Sequence, residues 1–225
     1  MPMTAHARTQ RPTHLAGSGA EHWAIDQESD VLPRIFEDGI TIAVMQRALS
    51  TTLQAGIDAQ CRTAHAWQIA WWGDPGEDAL RQELFDRLPA PRLAEALVED
   101  VTTLATAMGC LFATDTVGVR LRLLDAAMCP RFHCDNLPVR LVTTYSGPGS
   151  EWLPDHAVER AGLGAPRPDK PDVVADAAAI ERLRAGDLAL LKGSGWVGNE
   201  QRGLVHRSPA LAPGQKRLML SIDPA

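Results

Sequence analysis

The stretch Val117-Gly118-Val119-Arg120-Leu121-Arg122-Leu123 is where the sequence changes period. Val117, Val119, Leu121 and Leu123 alternate with Gly118, Arg120 and Arg122, so apolar side chains take one face and polar ones the other, the mark of a half-buried β-strand. Immediately upstream, residues 91–112 carry Leu93, Leu97, Val101, Leu104 and Met108 as an apolar stripe at helical spacing, with Pro91 suited to the first turn and Gly109 as an end signal. A shorter helix is expected over residues 77–88, after the turn Gly73-Asp74-Pro75-Gly76. Another is expected over residues 39–57, where Ile40, Val44, Met45, Ala48 and Leu49 recur. Downstream, residues 131–135, 139–145, 187–191, 203–207 and 217–222 are short apolar stretches punctuated by Gly or Pro and read as further strands. Residues 154–185 interrupt them with a Pro-rich loop and a helical patch near 175–183. Helices first and strands afterwards predict an α+β domain, an antiparallel sandwich or barrel with helices on one outer face. Residues 1–30 are polar, lack a periodic apolar face and read as a flexible arm. Residues 31–225 then form a single domain, with a helical part at 31–115 and a sheet part at 116–225.

Composition agrees with one folded domain. The chain has 225 residues, 45% of them hydrophobic and 22% charged, enough to bury a core. Lys and Arg total 22 against 28 Asp and Glu, a net charge of -6, which argues against a nucleic-acid partner. No apolar run reaches the roughly 18 residues that span a bilayer, and the first residues lack the apolar core of a secretory signal. Cys61, Cys110, Cys129 and Cys134 form no C-x-x-C pair. Reduced thiols and a cytoplasmic location are the expectation.

The chemistry concentrates in Arg131-Phe132-His133-Cys134-Asp135-Asn136. On a strand, positions i and i+2 share a face, so His133 and Asp135 stand side by side with Cys134 turned away. The distal His206, in Gly203-Leu204-Val205-His206-Arg207-Ser208-Pro209, supplies a third donor. Two imidazoles and one carboxylate form a facial set that suits non-haem Fe(II) and leaves positions open. Eleven residues after His206 comes Arg217, in the alternating strand Arg217-Leu218-Met219-Leu220-Ser221-Ile222. Leu218, Leu220 and Ile222 take the face suited to helices, and Arg217, Met219 and Ser221 take the other. An inward guanidinium needs an anion, and a dicarboxylate co-substrate supplies one.

The pattern His133-x-Asp135, His206, Arg217 resembles that of the Fe(II)/2-oxoglutarate-dependent dioxygenases, prolyl-hydroxylase-like members in particular. Asp135-Asn136 with Arg140-Leu-Val-Thr-Thr-Tyr145, Gly149-Ser-Glu151-Trp152 and Gly186-Asp187-Leu-Ala-Leu-Leu are similar to neighbouring elements of that superfamily. Over a narrower range, Cys129-Pro-Arg-Phe-His-Cys-Asp135 and residues 203–209 resemble a bacterial family described as domain of unknown function 1826. The superfamily resemblance implies a double-stranded β-helix, or jelly roll, and a hydroxylase-type oxygenase. Fe(II) would be held by His133, Asp135 and His206, and 2-oxoglutarate by Arg217, with Ser221 and Tyr145 as further cofactor-binding candidates. The second resemblance implies zinc as the alternative metal, in a non-enzymatic jelly-roll protein of zinc homeostasis. A degenerate domain that holds no metal is a third reading.

Other residues carry a functional and a plain reading. Tyr145, the only tyrosine, is either a ligand of the co-substrate carboxylate or a core residue. Arg120 and Arg122 are either contacts for an acidic part of the substrate or solvated charges. His156 is a fourth ligand or a surface residue, and Cys129 and Cys134 are thiolate ligands or inert thiols. Trp196 and Asn199 are candidates for the mouth of the pocket. The prime substrate, a small molecule or a peptide, carries no readable code.

Overall fold

The computed structural model describes residues 21–225, and the first twenty residues of the expected arm lie outside them. Along the chain run β1 (Trp23–Asp26), β2 (Ile42–Met45), α1 (Thr51–Cys61), β3 (Trp67–Gly73), α2 (Ala79–Arg87), α3 (Glu95–Phe112), β4 (Val117–Leu124), β5 (His133–Cys134) and β6 (Val139–Ser146). They are followed by β7 (Glu151–Leu153), β8 (Glu181–Arg182), β9 (Leu188–Lys192), β10 (Val205–Arg207) and β11 (Arg217–Pro224). The fold is mixed α+β. Seven strands in the order β1-β2-β9-β6-β11-β4-β3 make a large sheet, antiparallel except for the β1–β2 pair. Four strands in the order β5-β10-β7-β8 make a smaller antiparallel sheet. Among the described residues, no helix is long and apolar enough to cross a membrane.

The two faces of the large sheet have different partners. Val119, Leu121 and Leu123 of β4, Leu218, Leu220 and Ile222 of β11, and Leu141 and Tyr145 of β6 share one core with Ile57 of α1, Leu84 of α2 and Leu97, Val101 and Met108 of α3. On the opposite face, Ile42, Val44, Val142, Ala189 and Leu191 pack with Trp152, Leu183 and Leu204 of the small-sheet side. The interior between the sheets therefore receives the even-numbered side chains of β3, β4 and β6 and the odd-numbered ones of β11.

Three expectations about helices need correction. The helix expected over residues 39–57 divides into β2 and α1. β2 lies between β1 and β9 in the sheet, with Ala43 in the helix-side core and Ile42 and Val44 in the core on the opposite face, so both its faces are buried and its apolar run is continuous, which spacing alone cannot separate from a helix. α1 starts only after Ser50, whose Oγ accepts from the Leu53 N–H at 3.2 Å. Gly109 does not end α3. It lies inside the helix against Pro75, and the end is Ala113, in the left-handed region with φ 49°. The helical patch near 175–183 is a single 3-10 turn, Ala177–Ala179, running into β8.

The arm is also shorter than residues 1–30. His22 is buried; its Nε2 accepts from the Asp155 N–H at 2.9 Å, so its Nδ1–H donates to Thr41 Oγ1 at 2.5 Å. The Trp23 ring lies 5.8 Å from that of Trp152, and β1 pairs in parallel with β2. Residues 27–36 continue as a 3-10 segment, Ser29–Phe36, that buries Val31 and Ile35. A polar stretch is thus held by a buried hydrogen-bond bridge and a sheet edge, which apolar periodicity does not report. Deleting residues 1–26 should lower stability by at least about 2 kcal/mol, as for loss of a large buried side chain. That corresponds to a fall of roughly 4 °C or more in the thermal midpoint for a chain of this size. An unchanged calorimetric midpoint would show that β1 contributes nothing.

Candidate metal centre

The small sheet assembles the centre. β5 and β10 pair antiparallel with His133 opposite His206, which sets the two imidazoles 4.6 Å apart, centroid to centroid. Asp135 follows β5 directly. The Nε2 of His133 is 3.5 Å from Asp135 Oδ1, and that of His206 is 3.7 Å from Oδ2. One donor atom from each of the three residues lies within 4.8 Å of the others, and theirs is the metal-ligating cluster found among the described residues.

The tautomers follow from hydrogen bonding. His133 Nδ1 is 3.0 Å from the Arg131 carbonyl oxygen, and His206 Nδ1 is 3.3 Å from that of Leu204. A carbonyl only accepts, so both Nδ1 atoms carry the hydrogen and both Nε2 lone pairs are left bare in the neutral rings. Burial drives His206 down to about 4, against the pull of the Asp135 charge, so it is neutral at pH 7. The hydrogen bond to Asp135 raises His133 above the ordinary histidine value despite its partial burial. Burial opposes ionisation of Asp135, but the bond to His133 and the charges of His206 and Arg140 outweigh it and bring the carboxyl down to about 2. The donor set is therefore two imidazole nitrogens and an ionised carboxylate, a set that fits a divalent first-row metal.

A chain of ion pairs anchors Asp135 to the large sheet. Arg140 Nη1 donates to Asp135 Oδ2 at 2.8 Å, while Nε and Nη2 of the same guanidinium grip the two oxygens of Asp223 at 2.6 and 2.8 Å. Asp223 also accepts from Arg120 at 2.5 Å. Sequence reading missed Arg140 and Asp223 as site residues. Their signal was the parity of β6 and β11, which turns both toward the interior.

Arg217 also faces the interior and is 1% exposed. Its guanidinium meets only hydroxyls: Thr144 Oγ1 at 3.3 and 3.0 Å, Ser150 Oγ at 2.8 Å and Ser208 Oγ at 3.4 Å. Burial lowers it to about 10, still charged at neutral pH. No carboxylate pairs with it among the described residues. Ser221 is buried on the same face, across from Arg120 and Val142.

Tyr145 is not part of this arrangement. It shares the odd-numbered parity of Val139 and Leu141, faces the helices and donates its hydroxyl to Asp100 of α3 at 2.7 Å. Arg47 clamps the same Asp100 at 2.6 and 2.9 Å, so the tyrosine belongs to a helix-to-sheet tie. Trp196 is also on the helix side, packed with Phe36 and Phe112 and over the Lys192 ammonium, 4.6 Å from its ring centroid. Asn199 is buried, with Nδ2 on the Gly193 carbonyl. Cys134 turns its sulfur toward Gly203, away from the ligands, and His156 is exposed.

Residues 26–223 match the family described as "Protein of unknown function (DUF1826)". The chain belongs to this family. Among curated proteins, none matches. Among solved structures, the DUF1826 chain is similar to dioxygenase for auxin oxidation 1 from Arabidopsis thaliana in its complex with 2-oxoglutarate (10% identity, 90% of this chain and 91% of that one covered, TM-score 0.49). It is also similar to the rice dioxygenase for auxin oxidation (14%, 81% and 72%, TM-score 0.44) and to a Pseudomonas putida prolyl-4-hydroxylase (15%, 86% and 95%, TM-score 0.41).

Two outcomes follow for the DUF1826 centre. Arg140→Gln, which frees Asp135 to rotate, should weaken binding of Mn(II) or Zn(II) by about 10–100-fold, the range for lost outer-shell partners; calorimetric affinity equal to wild type would show that Arg140 does not position the ligand. Protons and metal compete for the Nε2 of His133. Because its pKa is raised, metal affinity should begin to fall above pH 6.5 as the solution is acidified, by about tenfold per pH unit once the ring is charged. A pH-independent affinity between pH 5 and 8 would exclude His133 as a ligand.

Proposed function

We propose that this protein is a non-haem Fe(II)- and 2-oxoglutarate-dependent oxygenase of the hydroxylase type, with its two sheets forming a double-stranded β-helix. The observation that supports this reading best is Arg217. A buried, charged guanidinium with neutral partners only is expensive to keep. It faces the same interior as His133, Asp135 and His206, and the groups that accept from it are neutral hydroxyls, which a carboxylate can replace. A metal carrier has no use for such a group.

Bound Fe(II) and 2-oxoglutarate supply the oxidising chemistry, in which dioxygen converts the 2-oxo acid to succinate and carbon dioxide and one oxygen atom enters a C–H bond. The chain's own contribution is to bind and to exclude water. His133, Asp135 and His206 present three donors from one side and leave the other side free. Arg217 pairs with the far carboxylate of the 2-oxo acid, whose oxygens take over N–H groups that are otherwise given to Thr144, Ser150 and Ser208. Ser221 and Met219 line the face between Arg217 and Asp223. Arg140 favours the ionised form of Asp135 and orients it, and Asp223 holds Arg140 in place.

The same three donors also suit Zn(II), so the experiment must separate an oxygenase from a zinc protein. Arg217→Leu should retain one equivalent of metal and lose affinity for 2-oxoglutarate. Removing one partner of a buried charge pair costs about 2–5 kcal/mol, roughly thirtyfold or more in affinity. The measurement is an anaerobic calorimetric titration of the Fe(II)-loaded protein with 2-oxoglutarate. Equal affinities for variant and wild type, or no binding to wild type at millimolar concentration, would overturn the oxygenase reading in favour of the zinc protein.

A further inference from the structure

The interior face of the large sheet extends past the metal centre onto β4 and the edge strand β3. Its cross-strand pairs there are Gly118 with Trp72, Arg120 with Ala70 and Arg122 with Gln68. Ala70, Gln68 and Trp72 are exposed, so this part of the face is a shelf rather than a closed pocket. It is contiguous with the centre, because Arg120 shares Asp223 with Arg140, which holds Asp135.

Among the described residues, four arginines point to this face: Arg120, Arg122, Arg140 and Arg217. The carboxylates that meet them are Asp223, shared by Arg120 and Arg140, and Asp135, bonded to Arg140. The proposed co-substrate accounts for Arg217. Arg122 is left over. It is half-buried and makes no ion pair with any described residue; its hydrogen bond runs from Nε to Gln68 Oε1 at 3.3 Å. Both Nη nitrogens are without a partner there, and so is the Gln68 side-chain NH2, whose oxygen is the atom engaged by Arg122. Desolvation and the like charges of Arg120 and Arg140 both bear against the Arg122 cation. An anion at this fork would relieve both and would accept two parallel hydrogen bonds.

The far end of the shelf is apolar and flat. The Trp72 ring lies over Gly118, close enough that a Cβ on residue 118 would meet Cε3 at 3.0 Å and Cζ3 at 3.2 Å. Its outer face is open, with the residue 63% exposed. From Gly118 to Arg122 is four residues of strand, about 13 Å. With a divalent metal at the centre the local charge is strongly positive within a chain of net charge -6, which focuses anions here rather than elsewhere.

We propose that the shelf formed by Arg122, Gln68 and Trp72 binds the prime substrate, an organic acid whose carboxylate or phosphate sits on the Arg122–Gln68 fork and whose planar or apolar part lies on Trp72. That the ligand is the substrate rests on the oxygenase reading; that the shelf binds such an acid does not.

The test uses the full chain with 15N-labelled tryptophan, the Trp72 indole signal being assigned by its loss in Trp72→Phe. The probes are 8-phenyloctanoate, 8-phenyloctyl phosphate and the uncharged 8-phenyloctanamide, long enough to reach from the fork to Trp72, each titrated with Zn(II) present, with and without saturating 2-oxoglutarate. At least one of the two anions should shift the Trp72 signal saturably, and which of them binds tighter assigns the carboxylate or the phosphate. The amide should not. Arg122→Gln and Gln68→Leu should each weaken the effect, the first by tenfold or more, as expected for loss of hydrogen bonds to a charged group. Arg217→Leu should leave it unchanged. The inference is overturned if the amide shifts the signal as strongly as the acids, if Arg122→Gln binds them like wild type, or if 2-oxoglutarate displaces them. Failure of 2-oxoglutarate to bind, with the anion response intact, would remove the oxygenase reading and leave the shelf as an acid-binding site.

Discussion

One strand has to satisfy two incompatible environments, and the structure is arranged around that demand. β11 lies between β6 and β4 near the middle of the large sheet. Leu218, Leu220 and Ile222 enter the helix-side core, while Arg217, Met219, Ser221 and Asp223 enter the interior between the sheets. A slip of one residue in its pairing would put two leucines against the metal ligands and an arginine and an aspartate into hydrocarbon. The apolar half of the alternation therefore fixes the register, and the register in turn sets where the charges go. The irregularity between Leu218 and Met219 against β6 shows that the pairing gives way at one point, next to Arg217.

The charges so placed serve two tasks of opposite character. Asp223 is saturated, with Arg140 and Arg120 both bonded to it, and through Arg140 it keeps the Asp135 carboxylate from turning. Arg217 and Arg122 are undersaturated, the first among hydroxyls and the second beside one amide. A saturated pair rigidifies its surroundings, whereas a charge without a counterion stores a cost that only a ligand removes. The contrast on one sheet face separates the groups that hold the site in shape from those that await something.

Much of this was legible in the sequence because it depended on period two. The parity of residues 117–123 and 217–222 already put the apolar residues on one side and Arg217 on the other, and His133-x-Asp135 needed only the same rule. Tyr145 was misassigned although the rule applied: it shares parity with Val139 and Leu141, hence with the helices, and the chemical appeal of a lone tyrosine overrode the count. β2 was read as helix because burial on both faces erases alternation. β1 and His22 were invisible because their stabilisation comes from one buried imidazole bridging Thr41 and Asp155, a contact between residues 19 and 133 positions apart. The ion-pair chain through Arg140 was hidden for a similar reason. An arginine five residues after a ligand has many possible partners until the sheet order brings Asp223 beside it.

The position of β11 in the sheet also has a consequence for biosynthesis. It is made after the ten other strands of the described residues, yet it fills the gap between β6 and β4 and supplies Leu218, Leu220 and Ile222 to the core under α1 and α3. Until residue 224 has been translated and has cleared the ribosome, β4 and β6 each present an unpaired edge, and the helices lack part of the surface they cover. Pairings between residues this far apart in the chain close slowly. β4 is complete at Leu124 and β6 at Ser146, so both edges stay open while the chain up to β11 is made, a period in which unpaired strands are prone to associate with neighbouring chains.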